Sequence, residues 1–235
     1  MRPAPPERIP GPDGVVRLIL PSTLLSTGVM AGLRQALGAL EEEPVPLVLE
    51  SRHPRIFLAG ADLREIAALT RDTAGPYAEE GRRTLRALER HPAPVVAAVG
   101  GACTGGGLDL ALACDAVVAG PRAAFAHPGV RRGLVTGWSG TARLPRLAGR
   151  HGATRILLEG AFLGPHEAQR EGLVALVDLD PVVAGLREAA RLARLDPRRL
   201  LLWRTLRSSR FIDRFRGCVV HNWWRQHPSR NGEGP

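Results

Sequence analysis

The chain contains no lysine, so all 32 of its basic side chains are arginines. That absence excludes the nucleotide P-loop, whose lysine must reach the phosphates. Cysteine is scarce too. Three cysteines without paired spacing argue for a reducing compartment rather than a disulfide framework. Cys103 and Cys114 lie in apolar runs and are expected to be packed core thiols. No apolar stretch approaches the roughly 20 residues of a membrane helix. Met1-Arg2-Pro3-Ala4-Pro5-Pro6 lacks the apolar core of a secretory signal, so a cytoplasmic protein without a membrane partner is expected. No two histidines, cysteines or acids share the ligand spacing of a metal site.

What is present fits an α/β protein with one substantial core. Residues 1–13 are proline-rich and predict a disordered N-terminus. Strands are expected at Val15–Leu20, Pro46–Glu50, Pro94–Val99, Asp115–Ala119 and Val174–Val177. Helical spacing covers Gly28–Leu40, with Leu33, Leu37 and Leu40 on one face, and Asp62–Leu69, with Asp62 at its cap. Further helices are expected at Ala74–His91, Gly106–Ala113, Pro165–Glu171 and within Gly137–Leu158, the last broken near Gly149. From Pro181 the chain reads as helix, with Leu201, Trp203, Leu206, Phe211 and Phe215 as apolar anchors and Trp223 and Trp224 as natural interface residues. The expected organisation is a core over residues 14–180, a helical region over 181–226 and a loose tail over 227–235. Strands alternating with helices argue for parallel βαβ units.

The most informative segment is Gly105-Gly106-Gly107, which follows the Pro94–Val99 strand and opens a short helix. Without a Cβ the backbone can approach a ligand closely. The first N–H groups of a helix point at whatever lies above it. Such donors suit a phosphate or an anion that forms only during reaction. The dinucleotide fingerprint does not fit, because its glycines belong at the first strand-to-helix turn with an acid about 20 residues on. A second small-residue turn, Ala59-Gly60-Ala61-Asp62, precedes another helix. Two turns that each offer a backbone N–H fit a two-donor oxyanion hole better. The plainer reading of the glycines is close helix–strand packing.

These segments resemble the enoyl-CoA hydratase/isomerase (crotonase) family. The likeness extends from about Pro46 through Ala59–Asp62, Pro94 to Asp115, Ala124-Phe125-Ala126-His127-Pro128, Gly140-Thr141-Ala142-Arg143-Leu144 and Ala168 to Val174. It implies a spiral of ββα units with a C-terminal helical region. It also implies an acyl-CoA substrate, no cofactor beyond that substrate's coenzyme A moiety, and a homotrimer or hexamer. By resemblance the thioester oxygen sits between the N–H groups of Ala61 and Gly106, in a pocket that includes Gly105. Glycine at 106 then spares the acyl group a steric clash. The Ala59 carbonyl, beside Gly60, matches the acceptor of the adenine amino group. Arg64 stands where a basic residue often lies near the coenzyme A phosphates. The related serine-nucleophile reading fails, because Leu108 follows the triplet.

The acid/base positions depart from the family. Its hydratases carry two glutamates that hold a water between them. Here the first position is Asp109 and the second is Gly129. One short carboxylate orients a water poorly, which counts against efficient syn hydration of a simple enoyl-CoA and against the isomerase pattern. The aspartate of dehalogenase-like members is absent from Val135-Thr136-Gly137-Trp138. Asp109 is the best candidate general acid or base, and His127 is a second candidate for proton transfer. Thr136 and Trp138 fall in the segment that lines the acyl pocket, with Trp138 as wall, and Tyr77 lies in a helix that borders it. Arg131 or Arg132, if turned inward, would suit a carboxylate on the acyl group or a decarboxylation. The net charge of +9 favours an anionic partner. Coenzyme A esters qualify, whereas arginines spread along the chain count against nucleic acid. The alternative reading is a catalytically weak member that binds coenzyme A esters or RNA.

Overall fold

The computed structural model describes residues 5–207. The elements run β1 (Glu7–Pro10), β2 (Val16–Leu20), β3 (Leu24–Leu25), α1 (Thr27–Gly38), β4 (Leu47–Ser51), β5 (Ile56–Leu58) and β6 (Gly60–Ala61). Next come α2 (Leu63–Ala67), α3 (Arg71–Arg90), β7 (Val95–Val99), β8 (Ala102–Thr104), α4 (Gly106–Ala111), β9 (Ala116–Ala119) and β10 (Ala124–Ala126). A 3-10 turn (Pro128–Arg132) leads to α5 (Gly140–Leu147), α6 (Gly149–Leu157), α7 (Pro165–Arg170), β11 (Leu176–Val177), α8 (Pro181–Ala193) and α9 (Pro197–Arg207).

Among the described residues three sheets form, ordered β1-β2-β4-β7-β9-β11, β10-β8-β5 and β3-β6. Their strand pairings are parallel except β1 with β2, and an isolated antiparallel bridge joins Phe125 to Leu163. The successive strand–strand–helix turns wind as the crotonase-like spiral that the resemblance implies.

The side-chain period of two explains how the large sheet is covered on both faces. Leu47 and Leu49 of β4, Val95, Ala97 and Val99 of β7, and Val117 and Ala119 of β9 enter the main core with α1, α3 and α4. The intervening Val48, Val96, Ala98 and Val118 enter a second cluster with Ala184, Ala189 and Ala190 of α8. At Gly185, α8 faces Val48, Val96 and Ala98, where even an added Cβ would make ordinary contacts of 3.5–3.7 Å. The expected boundary near residue 180 is therefore not a packing boundary, because α8 is the outer layer of the core. Cys103 and Cys114 are buried as expected, and burial pushes the Cys103 thiol up.

The expectation of disorder over residues 1–13 is corrected for its described part, Glu7–Pro10. Glu7–Pro10 pairs with β2 in register Glu7↔Ile19 to Pro10↔Val16. Proline is tolerated here because β1 is an edge strand. The free backbone edge of β2 needs a partner whatever the composition of the preceding segment. Helix α3 begins earlier than expected, at Arg71, because Thr70 and Thr73 form a reciprocal cap. The break at Gly149 is present, at φ 67°.

The helical C-terminal stretch is interrupted after Ala193, and α9 restarts at Pro197, where Asp196 Oδ1 accepts from Arg198 N at 2.8 Å. Leu201 and Trp203 are 67% and 46% exposed rather than buried anchors. The anchor of α9 is Arg204. Its guanidinium grips Asp115 Oδ1 at 2.7 Å and Oδ2 at 2.5 Å, and donates to the carbonyls of His91 and Ala93. Phe211, Phe215, Trp223, Trp224 and the expected tail lie outside the described residues.

Candidate active site

The two small-residue turns meet. Gly60, at φ 117°, leads β6 past the start of α4, and a Cβ there would lie 3.2 Å from the Thr104 carbonyl oxygen and 3.5 Å from the Gly106 nitrogen. Thr104 Oγ1 donates to the Ala59 carbonyl at 2.9 Å and fastens one turn to the other. That carbonyl, expected to face an adenine, thus already accepts one bond and has a second lone pair left.

Each glycine of the triplet answers a separate demand. Gly105 has φ 54° and ψ −129°, a conformation that only glycine takes readily. A Cβ on Gly106 would collide with the Trp138 ring. A Cβ on Gly107 would collide with the backbone of Leu58. The packing reading therefore holds for Gly107. At Gly106 the nearest obstacle is Trp138 rather than a bound acyl group alone. The Gly106 N–H, first in α4, has no carbonyl four residues back inside the helix.

A cavity of about 340 Å³ opens beside these turns. Ala59, Gly60, Ala61, Gly105 and Gly106 form one wall, and Asp109, His127, Gly129, Thr136 and Trp138 form another. Leu63, Ile66, Leu69 and Tyr77, from α2, the following turn and α3, close the apolar end. Arg132 borders the cavity and is itself exposed, whereas Arg131 does not border it. Arg64 does not border it either. Its side chain is 86% exposed and pairs with Asp62 at 2.8 Å, and that bond holds the Asp62 carboxyl below its ordinary value.

Asp109 and His127, 18 residues apart, come together. His127 Nε2 lies 3.0 Å from Asp109 Oδ1. The Thr136 hydroxyl donates to Asp109 Oδ2, and Trp138 N donates to the Thr136 oxygen at 3.3 Å. Gly105 N donates to the Ala126 carbonyl at 2.9 Å, which ties the glycine turn to the end of the strand that carries His127.

Several supports of this wall carry no motif. Arg143 is buried, donates to the Trp138 carbonyl at 2.9 Å, and pairs with Glu89 at 2.7 Å. Arg82 donates to the Gly137 carbonyl at 3.2 Å. Ser139 sits at φ 77°, unusual for a residue with a Cβ. That kink lays Trp138 over Gly106 and brings Gly140 so close to Asp109 that a Cβ would meet Oδ1. Tyr77 packs its ring 5.8 Å from that of Trp138. Its hydroxyl is buried without a partner, and burial pushes its pKa up.

The cavity is thus lined by Ala61 and Gly106 of the two turns on one side and by the Asp109–His127 pair on the other. An enolate reaction requires donors for developing negative charge and a base for a proton. A model of the enoyl-CoA hydratase/isomerase family matches residues 18–197. The chain belongs to that family. It is 34% identical over 186 residues to a Dictyostelium discoideum protein named probable enoyl-CoA hydratase, mitochondrial, covering 78% of this chain and 66% of that one. It is 34% identical over 155 residues to human methylglutaconyl-CoA hydratase, mitochondrial, covering 65% and 46%. The crystal structure of enoyl-CoA hydratase from Bacillus anthracis superposes with a TM-score of 0.75 at 29% identity, covering 82% of this chain and 78% of that one. The chain therefore spans about two thirds and under half the length of these two curated relatives.

Among the described residues no cluster of three or more His, Cys, Asp or Glu could hold a metal ion. Among them, too, no helix is long and apolar enough to cross a membrane. Among the described residues several arginines are paired internally, as in Arg17–Glu50 at 2.6 Å and Arg155–Glu167 at 2.7 Å.

Proposed function

We propose that the protein processes an acyl-CoA thioester through an enolate, as an enzyme of the enoyl-CoA hydratase/isomerase type. The observation that carries this reading is the meeting of the Gly60–Ala61 and Gly105–Gly106 turns beside a buried carboxylate–imidazole pair. The N–H groups of Ala61 and Gly106 receive the thioester oxygen as it gains charge. Each such donor contributes about 3 kcal/mol to the transition state. Asp109 and His127 handle the proton. Trp138 and Tyr77 bound the acyl chain.

The coenzyme A moiety is part of the substrate, with the Ala59 carbonyl available to its adenine and Arg64 at the surface near its phosphates. Arg132, at the cavity border, is the cation placed to meet a carboxylate on the acyl group. Two matched relatives are named for methylglutaconyl-CoA. A homotrimer or hexamer in the cytoplasm completes the proposal. The reading as a weak binder of coenzyme A esters or RNA rested on the lost second acid at Gly129. The imidazole beside Asp109 supplies a second proton-handling group and removes that ground.

A mass-spectrometric screen against a mixed acyl-CoA library tests the reading. Conversion of at least one member, lowered about 100-fold or more by Asp109→Asn, is expected. No conversion of any member, with coenzyme A esters still bound, would favour the binding reading instead.

A further inference from the structure

We infer that His127 Nδ1 is the atom that exchanges the proton with the acyl chain, and that Asp109 is its positioning residue. This inference rests on the enolate reading above. Asp109 stands at the family's first acid position, yet its side chain has no accessible surface. One carboxyl oxygen takes His127 Nε2 and the other takes the Thr136 hydroxyl. Gly140 packs against Oδ1 so tightly that a Cβ could not be added. A carboxylate enclosed in this way cannot hold a substrate water as a free glutamate would.

His127 is placed differently. A carboxylate only accepts, so Nε2 carries the hydrogen of the shared bond. The neutral ring then has its lone pair on Nδ1. Among the described residues, the side-chain nitrogens and oxygens that are both buried and partnerless are the Tyr77 hydroxyl and His91 Nδ1. His127 Nδ1 has no protein partner among the described residues. His127 borders the cavity. The other titratable or charged groups bordering the cavity are Tyr77, Asp109 and Arg132.

The step balances without an added reagent. Nδ1 takes a proton from the α-carbon, so a C–H bond breaks and an N–H bond forms. The electron pair moves onto the thioester oxygen between the two main-chain donors. The ring becomes an imidazolium opposite the Asp109 carboxylate. It then returns the proton to the α-carbon or delivers it elsewhere on the chain. This Asp–His division of labour is the one by which a buried carboxylate orients an imidazole in hydrolase triads.

The test is deuterium exchange at the α-carbon of saturated acyl-CoA esters, which does not depend on the overall reaction. The unaltered protein is expected to exchange at least one ester of a short-chain panel. His127→Ala is expected to lose about 100-fold or more with ester binding retained. Added imidazoles should then restore exchange, faster for more basic ones, a dependence that a structural role would not produce. Asp109→Asn should lose rate with little change in KM and gain nothing from imidazole. A loss below about tenfold in His127→Ala, or no recovery in the folded variant, overturns the inference while leaving the enolate reading intact. If His127→Ala does not fold, His127→Asn takes its place, and the same tenfold boundary decides. An unaltered protein that binds the esters and exchanges none overturns the enolate reading, and this inference with it.

Discussion

The main-chain wall of the cavity and its side-chain wall differ in how they are built. The proposed donors, the nitrogens of Ala61 and Gly106, belong to two turns that touch through Gly60 and Thr104. Asp109, His127 and Thr136 present side chains drawn from α4, the end of β10 and the loop before α5. No substitution other than proline deletes a main-chain donor. The donor therefore persists wherever the turn persists, and the small residues that permit the turn remain readable in the sequence. The side-chain wall can be rebuilt one residue at a time. Here Asp109 and Gly129 stand at the two positions where the resemblance implies glutamates, and His127 lies two residues before the second.

Breaking the main-chain wall should have the largest effect. Gly106→Val drives a branched side chain into the Trp138 ring and displaces the donor. Loss of about 100- to 1,000-fold in kcat is expected, measured by steady-state turnover of whichever ester the screen identifies. Overpacking should also cost about 1–3 kcal/mol in chemical denaturation. Thr136→Val tests the side-chain wall more gently. It removes the hydroxyl that fills Asp109 Oδ2, and about 1–3 kcal/mol of stability should go with it. The fall in kcat should stay well short of that in Gly106→Val; a larger one would reverse the ranking of the two walls.

The smallest effect on activity belongs to His91, outside the cavity. Burial holds its pKa below the ordinary histidine value despite the Val45 carbonyl 2.9 Å from Nε2. The folded state therefore resists a proton that the unfolded chain accepts. Stability should be intact above the unfolded value of about 6.5 and fall as the pH drops below it. Urea midpoints between pH 8 and pH 5 measure this, and His91→Gln should flatten part of the slope. The Asp109–His127 proton chemistry should not change with that substitution.

The fold was legible where periodicity or a cap spoke directly. Leu33, Leu37 and Leu40 announced α1, Asp62 announced the start of α2, and the Pro94–Val99 run announced β7. Two-residue strands such as β3 and β6 are too short to carry a period. Strand β1 was hidden because its proline content signals disorder unless the open edge of β2 is known. At the site, both small-residue turns and the loss of an acid at Gly129 could be read directly. The bond between Asp109 and His127 could not. It depends on the parallel pairing of β8 with β10, which sets the His127 end of β10 beside the start of α4. The roles of Arg143, Arg82 and the kink at Ser139 are equally tertiary. No local pattern marks an arginine that holds the carbonyl before a kink.

The most direct measurement is a crystal structure of the protein with a non-reacting acyl-CoA analogue. The account predicts the thioester oxygen about 2.7–3.1 Å from the nitrogens of both Ala61 and Gly106, with the α-carbon toward the His127 ring. An oxygen bound to only one of those nitrogens, or an acyl group lodged outside the cavity, would contradict it.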